Sequence, residues 1–256
     1  MALFPFTLAL AFAMMTALWP LSRWLRDVSI IDILWAPAFA ALTALCAVLV
    51  PVRGARGWIV LALVTVWAAR LGGHIFWRWR HLGHEDYRYA EIRRKHGASF
   101  PLTSLFWIFW LQAALLWVIS WPLQAVFAVI GPLNGLDVLG IAMTVAGILI
   151  EALADAQLTR FRRNPANRDT VLDTGLWGWS RHPNYFGDFL MWWGYFVVAI
   201  AGGTPWSIIL GPIVMSVLLF HYSGAGLMED TIEDRRPGYA DYVRRTSLFV
   251  PWPPSR

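Results

Sequence analysis

Seven stretches of the chain, at residues 3–20, 29–50, 57–77, 102–121, 135–157, 185–201 and 205–225, are so nearly free of charge that water is a poor solvent for them. A helix needs about 20 predominantly apolar residues to cross the hydrocarbon of a bilayer, and each run approaches that length. Only helices and closed barrels satisfy every backbone amide inside lipid, and runs of this length specify helices. The expectation is an all-α polytopic membrane protein with about seven transmembrane helices. Apolar residues make up 58% of the chain and charged residues 14%, which excludes an ordinary soluble domain. The 122–134 stretch, with Pro122, Gly131 and Pro132, reads as a turn.

No basic residue precedes the first run and no small-residue cleavage site follows it, so it is expected to remain as a helix. Cys46 is the single cysteine and lies in an apolar run, which leaves no internal disulfide and no cysteine metal cluster. No repeat or linker divides residues 1–256, and one domain is expected, with its cofactor half near 151–256.

The net charge is +5, but its placement says more than its sum. Arg23 and Arg26, the cluster from Arg78 to Lys95, that from Arg160 to Arg181, and Arg235 to Arg256 fall in alternate connections, with only Arg53 and Arg56 opposite. The positive-inside rule then places the N-terminus outside and the C-terminus in the cytoplasm. Such arginines also serve topology and lipid headgroups, and nothing in their pattern indicates nucleic acid.

Ionisable groups in hydrocarbon are costly and mark function or pairing. They are Asp32, Arg70, His74, Glu151, Asp155 and Asp188. Helical spacing puts Arg70, His74 and Arg78 on one face, Glu151, Asp155 and Arg162 on another, and Asn184, Asp188 and Trp192 on a third. These stripes should line a partly hydrated cavity; the plainer alternative is that Arg70 with Asp32, and Arg162 with Asp155, are ion pairs that fix packing.

Two connections carry chemistry. Arg70 to Gly97 alternates basic and aromatic residues and includes two phenols, Tyr87 and Tyr89, either of which could donate a proton to a substrate oxygen. Glu151 to Asp188 carries Arg160, Arg162, Arg163, Arg168 and Arg181, whose planar forks suit phosphate; Lys95 is the only lysine in the chain. Pro183 can begin a helix whose first amides favour an anion. Neither a GxGxxG turn after a strand nor a P-loop is present. His81 and His84 lack a nearby cysteine, so no metal site is expected.

The run DAQLTRFRRNPANRDTVLDTGLWGWSRHPNYFGDFLMWWGYF, with PGYADYVRRTSLFVPWPP after it, resembles the steroid 5-alpha-reductase superfamily. DVSIIDILWAP and GHEDYRYAEIR resemble a bacterial membrane branch of it. The resemblance implies a seven-helix reductase that uses NADPH to saturate a carbon-carbon double bond conjugated to a carbonyl in a hydrophobic substrate, seated in a bacterial inner membrane with its cofactor site facing the cytoplasm. It assigns cofactor binding to Asp155, Arg162, Asn167, Arg168, Arg181, His182, Asn184, Tyr185, Asp188 and Glu229, with Tyr242 in the segment that closes over the cofactor. The catalytic end departs from the pattern: Asp32 stands near the family's Gln-Glu pair and no tyrosine occupies the third run. Asp32, His74 and Tyr87 are the expected acid and proton-donor residues, with Asp32 either acting as an acid or orienting His74. RHPNY and Glu229 are also similar to isoprenylcysteine carboxyl methyltransferase, which would bind S-adenosylmethionine. A non-enzymatic lipid-binding protein is the third alternative.

Overall fold

A computed structural model describes residues 3–51, 54–222 and 238–254. Every regular element among these residues is helical. In chain order they include α1 (Phe4–Leu25), α2 (Ile30–Leu49), α3 (Ala55–Leu82), α4 (Tyr87–Ile119), α5 (Trp121–Ala125), α6 (Gly135–Arg163), α7 (Pro183–Ala201), α8 (Trp206–Phe220) and α9 (Tyr239–Arg245). Five of them, α1, α2, α3, α4 and α6, are long and apolar enough to cross a membrane. The expected count of seven is not reached by length and apolarity. The sixth run forms the 19-residue α7, which carries Asn184 and Asp188 in its first turns, and the seventh forms the shorter α8.

The connections are more helical than expected. The basic and aromatic stretch after residue 77 is not a loop, because α3 runs to Leu82, where Gly83 closes it with a left-handed φ of 72°, and α4 starts at Tyr87. The start is set by Asp86, whose carboxylate accepts from the Arg88 amide at 3.1 Å as an N-cap. The stretch read as a turn at 122–134 begins with α5 and a single tighter helical turn. The fifth run continues as a helix to Arg163, so Arg162 does lie on α6.

The chain forms two compact units, residues 1–134 with 199–211, and residues 135–198 with 212–256. In the first, α2 packs on α3 through Pro37, whose ring fits where Gly72 has no side chain; a Cβ there would stand 3.0 Å from Pro37 Cγ. Arg56, 3% exposed, donates to the carbonyls of Gly131 and Pro132, which satisfy part of its N–H donors within the fold. In the second, α6 and α7 run antiparallel at backbone contact. Gly140 faces Val198, Thr144 faces Gly194, Gly147 faces Met191, and Glu151 faces Gly187. A Cβ at Gly187 would sit 2.6 Å from both the Glu151 amide nitrogen and the Gly147 carbonyl oxygen. Two glycines seven residues apart on each helix thus let the two backbones meet, as small residues do where helices associate in lipid.

Candidate functional site

The backbone contact between α6 and α7 determines what stands just beyond it. One turn past Glu151, Asp155 accepts a hydrogen bond from Asn184 Nδ2 at 3.3 Å, so two helices contribute to one polar pair. Asp188, one turn into α7, accepts from Trp192 Nε1 at 3.0 Å. Glu151 is 5% exposed beside them. Within the expected stripe Asn184, Asp188, Trp192, the last two are joined by a hydrogen bond, and Tyr195 lies about one turn farther along α7. That hydroxyl is fully buried and has no hydrogen-bond partner among the described residues. Sequence reasoning passed over Tyr195 because nothing in WWGYF separates a buried phenol from an interfacial one; its three-residue step from Trp192 was the available signal.

The approach to α7 is held by the C-terminal segment. Tyr242 donates from its hydroxyl to the Trp177 carbonyl at 2.7 Å, Arg181 N donates to Ser247 O at 2.8 Å, Ser180 Oγ to Phe249 O at 2.8 Å, and Trp252 N to Trp179 O at 2.9 Å. Phe249 packs edge-to-face against Phe186 and Phe189 and tilted against Phe220, which anchors the strap. From the other side, Gln157 Oε1 accepts from Leu176 N, and Trp177 Nε1 donates to Ala154 O. His182 and Tyr185 stack with ring planes 4° apart at the first turn of α7.

Arg160, Arg162 and Arg163 project from the last turn of α6 and Arg168 from the turn after it, all exposed, while Arg181 is half-buried. The guanidinium groups of Arg160 and Arg168 engage no partner among the described residues. Asn167 is committed to the fold, donating to the Phe161 carbonyl at 3.0 Å. Glu229 lies outside the described residues. The donor set of this unit includes guanidinium groups that could hold phosphate oxygens, an amide and carboxylate pair, and a buried hydroxyl with its hydrogen-bonding capacity unspent.

The first unit gathers a different cluster. Asp32 accepts from Tyr89 Oη at 2.7 Å and from Arg88 Nη2 at 3.1 Å, and Gln112 donates to the Tyr89 hydroxyl at 3.5 Å. Arg88 also reaches Asp86, whose amide donates to Ser29 Oγ at 2.8 Å. The partners of Asp32 are thus Tyr89 and Arg88, not Arg70, and it makes no hydrogen bond to His74. His74 is half-buried on α3. Tyr87 is 64% exposed, whereas Tyr89, two residues on, is the buried phenol. The stretches DVSIID and GHEDYRY, far apart in sequence, are partners in space: Ser29 and Asp32 meet Asp86, Arg88 and Tyr89, and Val28 meets Glu85. The Asp86 carboxylate lies outside the helices; burial opposes its charge, but the hydrogen bonds and charge of Arg88, with Arg78 beyond, outweigh burial and hold it below the ordinary carboxylate range. No metal-binding group of three or more ligands occurs among the described residues.

The chain is similar to an uncharacterized protein of Schizosaccharomyces pombe, 25% identical over 95% of this chain and 78% of that one. It is also similar to a Delta(14)-sterol reductase of the same yeast, 33% identical over 36% of this chain and 25% of the reductase. A Delta(14)-sterol reductase of Gallus gallus is 35% identical over 28% of this chain and 12% of its own. The sterol reductase matches therefore cover a quarter or less of those proteins. These relatives come from a yeast and a bird and lend the expected bacterial branch no support. No solved structure matches the chain. A family model for proteins of unknown function, DUF1295, matches residues 18–246, and the chain belongs to that family.

Proposed function

We propose that the chain is a membrane reductase that uses NADPH to saturate a carbon-carbon double bond conjugated to a carbonyl in a hydrophobic, sterol-like substrate. The observation that carries this reading is the Asn184–Asp155 pair just beyond the α6–α7 backbone contact, with exposed arginines on the adjoining turns. Partial similarity to two Delta(14)-sterol reductases supports it. The reading treats the chain as one reductase domain that crosses the membrane seven times, adding α7 and α8 to the five long helices, with the N-terminus outside and the arginine-rich end in the cytoplasm.

When bound, NADPH would supply the hydride. The chain's own contribution is to bind and orient. Arg162, Arg168 and Arg181 would hold phosphate oxygens, the Asn184–Asp155 pair would fix the neighbouring ribose or carboxamide, and Asp188, steadied by Trp192, would hold the nicotinamide end. The stacked His182 and Tyr185 would form one wall, with Asn167 keeping the arginine turn in shape. Glu229, with the C-terminal strap, would help to close the site. On the substrate side, His74 or Tyr87 would give the proton, and Asp32 would position the neighbouring polar groups through Tyr89 and Arg88. A positioned acid commonly contributes 10²- to 10⁴-fold to such a step.

The test is oxidation of NADPH, followed by absorbance, by the detergent-solubilised full chain with a panel of conjugated enones that includes sterols. Turnover that falls at least tenfold in Arg162→Ala and Asn184→Ala is expected. Binding of S-adenosylmethionine in place of NADPH would replace the reductase with a methyltransferase. Indifference to both, with retention of lipid alone, would leave a lipid-binding protein.

A further inference from the structure

Where α1 ends, α2 begins and α3 gives way to α4, the first unit carries an open depression of about 560 Å³ whose lining includes Arg26, Asp27, Trp79, Arg80, His84 and Glu85. Two arginines and two carboxylates would ordinarily cancel. Here both carboxylates are engaged by the protein, Glu85 by the Arg93 guanidinium and Asp27 by neutral N–H donors. Asp27 accepts from the Ser29 amide at 2.8 Å and from Trp79 Nε1 at 2.7 Å. Glu85 accepts from the Val28 amide at 2.8 Å and from both Arg93 Nε and Nη2, at 2.9 and 2.8 Å. All four carboxylate oxygens thus have donors within the first unit, while the guanidinium groups of Arg26 and Arg80 have no hydrogen-bond or ion-pair partner among the described residues. His84 adds an imidazole whose Nδ1 donates to the Glu85 carbonyl at 3.0 Å.

The backbone gives a second, independent sign. Arg26 is the only residue other than glycine with a positive φ among the described residues, at 55°. It closes α1, with its amide donating to the Arg23 and Ser22 carbonyls, in a position where glycine is the unstrained choice. An arginine held in that conformation at the edge of a cavity places a cation there despite the strain. The location selects the ligand. At about 1.5 Å per residue, the 28 residues of α3 span about 42 Å against a hydrocarbon core of about 30 Å, so its last turns stand at the level of the headgroups. Trp24 and Trp77, 79% and 39% exposed, flank the same end in the manner of interfacial anchors.

We propose that this depression binds the phosphate of an anionic phospholipid headgroup, gripped by Arg26 and Arg80 with His84 at its rim. The site is separate from the arginine turn of the second unit, and it stands whether or not the chain reduces a sterol. Purified full chain is equilibrated with equal phosphatidylglycerol and phosphatidylcholine, and native mass spectrometry counts the lipid retained. The wild type retains phosphatidylglycerol preferentially. Arg26→Gly, which suits the left-handed backbone and should melt no lower than the wild type, and Arg80→Gln each reduce that preference about fivefold, the equivalent of about 1 kcal/mol per charge. Should Arg26→Gly fail to fold, Arg80→Gln decides alone. An unchanged preference in the folded variants overturns the proposal, and displacement of the lipid by equimolar inorganic phosphate overturns the headgroup as its ligand.

Discussion

Tyr87 and Tyr89 show how two phenols two residues apart divide between surface and core. One is exposed at the first residue of α4; the other turns inward and satisfies Asp32. Tyr89→Phe should therefore cost about 1–3 kcal/mol, the penalty of leaving a carboxylate oxygen short of a donor, while Tyr87→Phe should stay within about 0.5 kcal/mol in the same thermal melts. Tyr195 predicts the reverse pattern. Since its hydroxyl has no partner among the described residues, Tyr195→Phe should leave the melting temperature of the ligand-free protein equal or higher, yet lower turnover if the hydroxyl meets a bound substrate. Unchanged turnover together with a large loss of stability would show the hydroxyl to be structural. Asp86 contributes to acid sensitivity. Its pKa lies below the ordinary carboxylate range, so its stabilisation is complete above that range and disappears as pH falls through its folded value. Asp86→Asn keeps a capping side chain and should flatten the acid limb of a melting-temperature profile; an unchanged limb would assign the acid loss to other carboxylates.

At the scale of elements, the glycine contact between α6 and α7 is the feature on which the second unit depends. Gly147→Ala or Gly187→Ala would drive a methyl group into facing backbone, which cannot move aside as a flexible side chain can. Each should destabilise by about 1–3 kcal/mol or more, whereas Gly73→Ala, whose added methyl meets nothing within 4 Å, should be neutral or stabilise by up to about 1 kcal/mol. Equal effects on unfolding in the three variants would remove the contact from the account. Periodicity made the apolar helices and the Asn184, Asp188, Trp192 stripe legible, because a helix alone determines which of its residues share a face. It could not reveal the Gly140–Gly147 and Gly187–Gly194 match, which belongs to two helices at once. Nor could it tell that Asp32 would find Tyr89 and Arg88 in preference to Arg70, since that choice depends on how α4 folds back. The helix from Tyr87 was missed for a local reason: its charged first turns hide the cap supplied by Asp86.

For the whole molecule, apolar content made a membrane chain plain, but the number of crossings rests on α7 and α8, where polar side chains and short length blur the pattern. Seven crossings require opposite sides for the termini. Reporter tags at each end, read by protease protection, should place the N-terminus outside and the C-terminus in the cytoplasm; termini on one side would leave an even number of crossings. The C-terminal strap joins the site to the rest of the second unit, so Tyr242→Phe, which deletes its bond to the Trp177 carbonyl, should loosen the approach to α7 and weaken dinucleotide binding beyond the about 1 kcal/mol expected of one hydrogen bond. The most direct measurement is native mass spectrometry of the purified full chain with NADPH. The account predicts one dinucleotide per chain, lost in Arg162→Ala with Asn184→Ala; a folded chain that takes up no NADPH at millimolar concentration would contradict it.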